Sequence, residues 1–458
     1  MAAAAAAPER RSAIGTVYLC LLLYVSAIYI RPGELVAPGA AIPFLEILSF
    51  IALVVAMLAY LREPRPWIWV PHDGFILGFW LAIVVSNLAS GWFGGALKGF
   101  VEFFKIAFYY FLMRFAVREP RHVSGLLILL IGLNLFQAAY GILQVHTGFG
   151  LGGLELNEDG RIRSLGIFDD PNDLALALVM VVPLLLSGIA DRGISLGRRL
   201  LGLAAVGPIL LALQYTGSRG AWIGLAVIAV GFSLRRFGLA RGAPVAALGL
   251  VVLLLTWRPG SAPEPGLGPG PGPGSQWLVA AALQDPVTGQ LLPESSSARL
   301  RLEAWSEGLA MLTARPLFGV GYSRFTDYNE IVAHNSFIHT FAELGLLGAF
   351  FGVGMVYWYF KGLGEPAGAA SGGRRARALA LCGIGFFTTV SFLSRQYDLV
   401  LYTLLGIGAC HAAITQAAHP DRRLATTRRD LLNILLLTAG GIVALKLIVR
   451  VLTMWVRG

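Results

Sequence analysis

The side chains best suited to chemistry are concentrated in one stretch, residues 299–348, which runs from RLRLEAW to FAELGLLG. It carries arginines, whose guanidinium groups bind anions through a fork of N–H donors, and the pair His334 and Asn335. The imidazole of a histidine titrates near neutral pH, which suits it to proton transfer. The pair stands directly before a long apolar run. Ionisable groups beside a bilayer are costly and usually functional, so this stretch is the first candidate for a site.

The rest of the chain predicts the elements that must position these groups. Of its 458 residues, 56% are hydrophobic and 14% are charged, whereas roughly 25% are charged in soluble domains. Apolar windows of about 20 residues, the length that crosses a bilayer, predict about 12 or 13 helices. The windows lie near residues 13–31, 42–61, 74–93, 96–116, 123–145, 172–190, 199–216, 220–234, 242–257, 335–360, 378–394, 396–416 and 431–454. We therefore expect an all-α fold, a polytopic transmembrane helical bundle.

The positions of the basic residues predict how this bundle is oriented. The net charge is +10, and most lysines and arginines fall in alternate short loops between the apolar windows. Such loops face the cytoplasm, so we expect a cytoplasmic N-terminus and no nucleic-acid partner. Lys446, Arg450 and Arg457 break the pattern, because they would lie within the last window or beyond it on the outer side. That window could therefore be re-entrant or interfacial instead of spanning.

A few arginines remain on the other side of the membrane, too sparse to act as topology signals. Arg219 opens an apolar run in the string TGSRGAW, where free backbone N–H groups at a helix start also favour an anion. Snorkelling to the interface is the alternative for this residue. The other candidates for binding an anion on this side are Arg161, Arg163 and Arg395.

The string FDDPND, which follows Arg161 and Arg163, predicts the start of a helix at Pro171. Acidic residues at this position complement the positive end of the helix dipole. A metal site formed by the aspartates is an alternative, and a contact with substrate through Asp170 or Asn172 is another. We expect no metal, because no clear metal-binding motif is present.

One long loop, residues 258–334, divides the chain into three parts. It begins with the tract PGSAPEPGLGPGPGPGS, which cannot pack a core. The string SSSARLRLEAWSEGLAMLTARP that comes later is typical of a capped amphipathic helix lying on the membrane surface. We expect an N-terminal transmembrane bundle over residues 1–257, this outer loop, and C-terminal transmembrane helices over residues 335–458.

The polar stretch also has a distinctive order of motifs. An arginine four residues before a tryptophan is followed by a Pro-x-x-Gly-x-Gly turn, a His-Asn pair and a Glu-x-Gly-x-x-Gly helix start. These fall on Arg301 and Trp305; Pro316, Gly319 and Gly321; His334 and Asn335; and Glu343, Gly345 and Gly348. In this order they resemble the signature region of the O-antigen ligase and O-antigen polymerase superfamily, which are integral-membrane glycosyltransferases. The strings TGSRGA and DPNDLA are similar to the family as well, so the resemblance covers about residues 160–350.

This resemblance implies a GT-C-like bundle that moves a glycan from undecaprenyl diphosphate to an acceptor hydroxyl, with inversion at the anomeric carbon. Arg219, Arg301 and Arg324 match the family's arginine positions and are implied to neutralise the diphosphate. Several arginines can do this without a metal, so we expect no cofactor. His334 is implied to be the base for the acceptor hydroxyl, although a histidine there could instead be a polar cap at the interface.

Other polar residues near the motifs are expected to support this chemistry. His339 and Glu343, spaced i to i+4, are expected to pair in a structural role. Tyr322 could stack on a sugar ring or anchor the chain at the interface. The possible substrate contacts are Arg161, Arg163, Asp170, Asn172, Tyr322, Asn335, His339 and Arg395.

Three functions stay open at this point. The resemblance favours an O-antigen ligase in the bacterial inner membrane, with its site facing the periplasm and a lipid A-core or another glycan as acceptor. A polymerase of the same superfamily, which uses a second carrier-linked glycan as acceptor, has the same donor chemistry. A flippase for lipid-linked glycans also fits a bundle of helices among membrane lipids. It would need no base at His334 and predicts internal repeats, of which the sequence shows none.

Overall fold

The fold is all-α, as the apolar windows predict. The structure, a computed structural model, describes residues 13–36, 43–157, 159–190, 193–256, 297–364, 370–421 and 423–457. Within these ranges the regular elements are helices, apart from an isolated bridge between Phe149 and Glu155. The α-helices are α1 (Ala13–Ile30), α2 (Pro32–Val36), α3 (Phe44–Arg62), α4 (Pro71–Ala89), α5 (Phe93–Ala116), α6 (Pro120–Thr147), α7 (Pro171–Ala190), α8 (Leu196–Thr216), α9 (Arg219–Thr256), α10 (Ser297–Ala314), α11 (Ser336–Gly362), α12 (Ala370–Val390), α13 (Leu399–Ala418) and α14 (Arg428–Arg457).

Local sequence explains where several helices begin and end. A proline occupies the first position of α4, α6 and α7, where the missing N–H group has no intrahelical partner to lose. α6 ends at Gly148, with φ 82°, and α8 ends at Gly217, with φ 60°. This left-handed conformation favours glycine and stops a helix sharply.

Nine helices in the described ranges are long and apolar enough to cross a membrane. They are α3, α4, α6, α7, α8, the part of α9 up to Val245, α11, α13 and α14. α1 contains a shorter apolar stretch, Gly15–Ile30. α5 and α12, which the apolar windows also predict, carry more charge and pack inside the bundle, α5 against α4 and α13, and α12 against α7 and α9. The chain is a multi-pass membrane protein.

α9 consists of two helical arms. Gly238, with φ 73° and ψ 176°, interrupts the helix. The arms fold back so closely that a Cβ on Gly242 would lie 2.6 Å from the Ser233 carbonyl oxygen. The predicted windows at residues 220–234 and 242–257 are these two arms, and residue 257 itself lies outside the described residues.

α11 is broken where the turn at residues 316–321 docks on it. Gly345 has φ 61° and ψ −158°, which glycine alone adopts readily, and the helix resumes after it. Four backbone hydrogen bonds of 2.8–3.1 Å hold the turn in this break, from the N–H groups of Val320, Gly321, Leu346 and Leu347 to the carbonyl oxygens of Ala342, Glu343, Pro316 and Leu317 respectively. A Cβ on Gly319 would lie 2.4 Å from the Glu343 carbonyl carbon. The motif glycines therefore allow two stretches of backbone to pair inside the bundle.

α14 runs antiparallel to α11 along the whole bundle. Near its start, the Asp430 carboxylate accepts hydrogen bonds from Tyr357 and Lys361 at the end of α11. Farther along, the Lys446 ammonium donates to the Thr313 hydroxyl of α10 at 3.4 Å. The re-entrant alternative is therefore wrong: the last window is one continuous helix that passes from end to end. α14 can carry Lys446 and Arg450 because both side chains are exposed and lie toward the end of the helix.

The end of the bundle that Lys446 reaches also holds His334, at the start of α11, and is here termed the His334 end. α10 is the predicted amphipathic helix, and it packs against α11 and α14 at this end. The tract at residues 258–296 lies outside the described residues. The three-part division of the chain stays a prediction.

Candidate functional site

A charged cleft opens at the His334 end, between the start of α7 and the segment that precedes α13. Its volume is about 450 Å³. It is lined by Gly166, Ile167, Asp169, Asp170, Asp173, Ser394, Arg395, Tyr397 and Asp398. Two strings far apart in sequence, FDDPND and SRQYD, thus meet in one cleft.

The aspartates of the FDDPND string are held by arginines. Arg395 donates to Asp170 Oδ2 at 2.9 Å and also to Asp173. Asp169 pairs with Arg163 at 3.0 Å. Within the described ranges, no group of three His, Cys, Asp or Glu side chains is placed to hold a metal ion. These carboxylates therefore serve as counter-charges that orient guanidinium groups.

Arg161 holds the turn that presents Arg219. Its Nε donates to the Thr216 carbonyl oxygen at 2.5 Å, beside Gly217, and its Nη2 donates to the Asn172 Oδ1 at 3.0 Å. The Asn172 amide in turn donates to Asp170 at 2.9 Å. α9 begins at Arg219 directly after this turn, and the Arg219 side chain is exposed. Arg161 therefore fixes the turn formed by the TGSR string, while the arginine of that string, Arg219, stays exposed.

Arg301 reaches the same region from α10. Burial lowers the pKa of its guanidinium, and the positive charges of Arg219 and Arg161 lower that pKa further, while Asp170 raises it. The guanidinium groups of Arg161, Arg219 and Arg301 therefore lie close enough to repel one another, although they come from three different parts of the chain. Within the part of the chain that the structure describes, neither Arg219 nor Arg301 has a hydrogen bond or an ion pair. The site thus holds positive charge that the protein itself does not neutralise.

The backbone of His334 is fixed on both sides. The indole of Trp305 donates to the carbonyl oxygen of Ala333 at 2.7 Å. The Asn335 side chain caps α11 by accepting from the N–H groups of Phe337 and Ile338, each at 3.0 Å. Between these anchors His334 adopts φ 47°, a strained conformation for a residue with a side chain. Such strain persists where the surroundings impose it, as at active sites.

The His334 imidazole is neutral at physiological pH. Burial lowers its pKa to about 4, and the positive charges of Arg301 and Arg395 contribute to this, opposed by Asp170. The ring is half-buried, and no hydrogen bond joins it to any other described residue. A neutral imidazole beside guanidinium groups can accept a proton from a ligand that those groups bind.

The predicted pair of His339 and Glu343 forms inside α11. The His339 Nε2 lies 3.1 Å from Glu343 Oε1, and both side chains are buried. Glu343 also accepts from the Phe325 N–H at 3.2 Å and from the Tyr397 hydroxyl at 3.1 Å. Glu343 is thus held by three groups of the protein, whereas the His339 Nδ1 is buried without a hydrogen-bond partner among the described residues, and the structural role of the pair stays a prediction.

Arg324 and Tyr322 contact α5 or the residue directly before it. The Arg324 Nε lies 2.7 Å from Asp327 Oδ2, and its guanidinium lies 6.0 Å from the centre of the Trp92 ring. The Tyr322 hydroxyl donates to Glu102 Oε2 of α5 at 2.8 Å. Arg324 therefore lies beside the start of α5, whereas Tyr322 reaches farther along that helix and also packs on the Tyr397 ring of the cleft, with ring centres 4.8 Å apart. The structure therefore brings Arg219, Arg301 and His334 together, and Arg324 makes its contacts elsewhere.

Sequence reasoning missed two residues of the cleft that carry titratable side chains, Tyr397 and Asp398. The signal was present in the string SRQYD, because Asp398 begins α13 and caps it by accepting from the Val400 N–H. An aspartate before an apolar run is typical of a helix start, and helix starts in this protein gather at the cleft. Arg395 was the only residue of this string that was predicted to bind an anion.

The helices define a polytopic all-α membrane protein, and one end of its bundle gathers the acidic cleft, His334 and the arginines Arg219 and Arg301. Residues 204–353 match the family model described as O-antigen ligase. The resemblance to the O-antigen ligase and polymerase superfamily is thereby confirmed over this segment, which contains Arg219, Arg301, Arg324 and His334. It covers less than half of the chain, and the DPNDLA string lies outside it. No curated protein matches the sequence.

Proposed function

We propose that this protein is an O-antigen ligase, which transfers a glycan from undecaprenyl diphosphate to an acceptor hydroxyl. The reaction would take place at the periplasmic face of the bacterial inner membrane. The observation that carries the proposal is a neutral His334 near Arg301, which itself lies near Arg219; neither arginine has a hydrogen bond or an ion pair among the described residues. The match to the O-antigen ligase family supports it, because the matched segment includes all three residues.

The geometry suits a direct displacement. His334 takes the proton of the acceptor hydroxyl, and the oxygen attacks the anomeric carbon from the face opposite the diphosphate. The bond between that carbon and the diphosphate oxygen breaks, and the electron pair leaves with the diphosphate. The configuration at the anomeric carbon is therefore inverted.

The leaving diphosphate needs positive charge where its own charge develops. We assign this to the half-buried Arg301 and to the exposed Arg219 at the start of α9, because guanidinium groups donate charge-assisted hydrogen bonds to a developing anion. In this scheme no metal is required. We also propose that Arg324 contacts the donor from the side of the α4–α5 turn.

The decisive experiment measures transfer of a lipid-linked glycan by purified protein. We expect His334→Ala to lower the turnover by about 100-fold to 10,000-fold, the usual contribution of a general base. His146→Ala is the matched control, because His146 is exposed near the end of α6 and outside the cleft. Near-normal turnover of the His334 variant, in a folded preparation, would remove His334 from the mechanism.

A second experiment separates the ligase from the polymerase. We expect a deletion strain to accumulate long glycan chains on the carrier lipid, as seen by mass spectrometry of its membrane glycolipids. A strain that instead carries single unpolymerised repeats at its surface contradicts the ligase assignment and supports the polymerase.

A further inference from the structure

A second groove lies at the His334 end, outside the cleft, between α10 and α14. Its volume is about 510 Å³. It is lined by Ser306, Leu309, Lys446, Val449, Arg450, Thr453 and Met454. One part of this lining is cationic and hydroxylated, and the other part is apolar.

The pattern of basic residues that orients a membrane protein does not explain the two cations of the groove, Lys446 and Arg450. Lys446 and Arg450 are spaced i to i+4 on one face of α14 and are both exposed. Neither forms an ion pair with any carboxylate of the described residues, and Lys446 contacts only the Thr313 hydroxyl. Both lie at the end of the bundle where basic residues are sparse. A cluster of ammonium, guanidinium and hydroxyl donors is suited to a phosphate group.

The apolar part of the groove continues onto a surface that faces lipid. Leu447, Ile448 and Val451 of α14 are 57%, 48% and 59% exposed. Such a surface is stable only among acyl chains, so the groove is reached from within the membrane. A ligand that fills it must therefore combine a phosphate with hydrocarbon.

α10 separates this groove from the cleft. Arg301 lies on the cleft side of the helix, whereas Ser306 and Leu309 line the groove. Arg301 and Leu309 are eight residues apart on α10, about 12 Å along the helix axis, so the part of the groove beside Leu309 lies about that far from Arg301. A lipid held there reaches His334 only if its headgroup is long enough to pass over α10, as a glycan of several sugars is.

We propose that Lys446 and Arg450 bind the phosphate of the acceptor, a phosphorylated membrane glycolipid whose acyl chains lie along α14. This inference rests on the proposed function, and it assigns the phosphate of the acceptor to one groove and two side chains. Donor and acceptor then occupy different faces of α10, so that both can be bound at once.

Binding is tested on the purified full chain by native mass spectrometry, with dioleoyl phosphatidic acid and dioleoylglycerol as probes. These lipids differ only in the phosphate. We expect the protein to retain the phosphatidic acid, and the double variant Lys446→Gln, Arg450→Gln to retain it about tenfold less, as the loss of charge-assisted hydrogen bonds predicts.

The matched control is Arg428→Gln, Arg429→Gln, which removes two exposed cations from the other end of the same helix. We expect the control to retain the lipid as the unaltered protein does. Equal loss in both double variants contradicts a specific groove. Complete displacement of the lipid by inorganic phosphate contradicts a site that recognises the lipid as well as its phosphate.

The acceptor role is tested with one glycolipid acceptor in its phosphorylated and dephosphorylated forms. We expect the groove variant to raise KM about tenfold for the phosphorylated form, with kcat and the KM of the dephosphorylated form unchanged. An equal change for both forms, or none, overturns the acceptor role. Absence of transfer to either form by the unaltered protein instead contradicts the proposed function, and the binding assay still decides whether the groove takes a lipid phosphate.

Discussion

The arginines around the cleft differ in what each is free to bind. Arg161, Arg163 and Arg395 donate to carbonyl or carboxylate oxygens of the protein. Arg219 and Arg301 have no such partner among the described residues. An anion that binds Arg219 or Arg301 therefore displaces no carboxylate of the described residues.

Arg301→Lys tests whether the shape of the guanidinium matters in addition to its charge. An ammonium keeps the charge but cannot form two parallel hydrogen bonds to a phosphate. We expect kcat/KM for glycan transfer to fall about tenfold or more, equivalent to about 1.4 kcal/mol. Arg299→Lys on the same helix is the control, because Arg299 pairs with Glu303. Equal rates for both variants would show that Arg301 acts as a point charge only.

The low pKa of His334 predicts the pH dependence of the reaction. A histidine whose pKa is lowered to about 4 stays neutral, and competent as a base, well below its usual titration range. Protonation on acidification removes the base, so kcat/KM should stay level down to about pH 5 and fall below it. The measurement is kcat/KM for transfer against pH. An acid limb centred near pH 6.5 would contradict an imidazole held among guanidinium groups.

Single residues of the site were predictable where a motif marks them. Arg219, Arg301 and His334 stand in motifs whose order along the chain is distinctive. The direction in which the Arg324 side chain points was not predictable, because it depends on how the turn at residues 316–321 packs beside Trp92. Spacing in sequence carries no information about a contact with a residue more than 200 positions away.

Among the elements, the broken helix α11 does most to assemble the site. Its break receives the turn at residues 316–321, and its start carries Asn335 and follows His334. The same turn follows α10, which carries Arg301. One set of backbone hydrogen bonds therefore helps to fix the proposed base, His334, and the proposed anion-binding Arg301 relative to each other.

Gly345→Ala tests this arrangement. The backbone there has φ 61°, which disfavours a side chain, and a Cβ would lie 2.5 Å from the Gly319 nitrogen. We expect the variant to lose about 2 kcal/mol or more of folding stability, and to show a lower midpoint in a thermal unfolding assay in detergent.

Gly440→Ala is the control for that variant, because Gly440 lies within α14 and a Cβ there would meet nothing within 4 Å. Alanine favours a helix over glycine, so its midpoint should not fall. An unchanged midpoint for Gly345→Ala would mean that the turn is not held in the break.

The helices themselves were predictable because each needs a run of apolar residues long enough for the bilayer. The windows therefore located α3, α4, α6 and the later spans. The break at Gly345 was not foreseen, since the apolar pattern continues through it. What interrupts the helix is the pairing of its backbone with a distant turn, and no local preference reports such pairing.

At the scale of the whole molecule, the first described helix begins at one end of the bundle and the last described helix finishes at the other. Tyr18, near the start of α1, stacks on His122 at the end opposite His334. α14 finishes at the His334 end, beside α10. The first and last described helices therefore begin and finish at opposite ends.

Reporter fusions test this topology. We expect alkaline phosphatase, which is active only in the periplasm, to be inactive when fused before α1 and active when fused after α14. Colony or whole-cell phosphatase activity is the measurement. The inverse pattern would place the cleft in the cytoplasm, and equal activity at both positions would contradict α14 as a full span.

The positive charge of Arg219 and Arg301, which lack counter-charges among the described residues, also bears on how robust the protein is between turnovers. Like charges held together without counter-charges oppose the folded state, and an anion that binds only the folded state restores stability by mass action. Pyrophosphate or another polyanion should accordingly protect a detergent-purified preparation against heat. The protein is then most fragile when idle, and the diphosphate lipid of the proposed function would stabilise it whenever that lipid is bound.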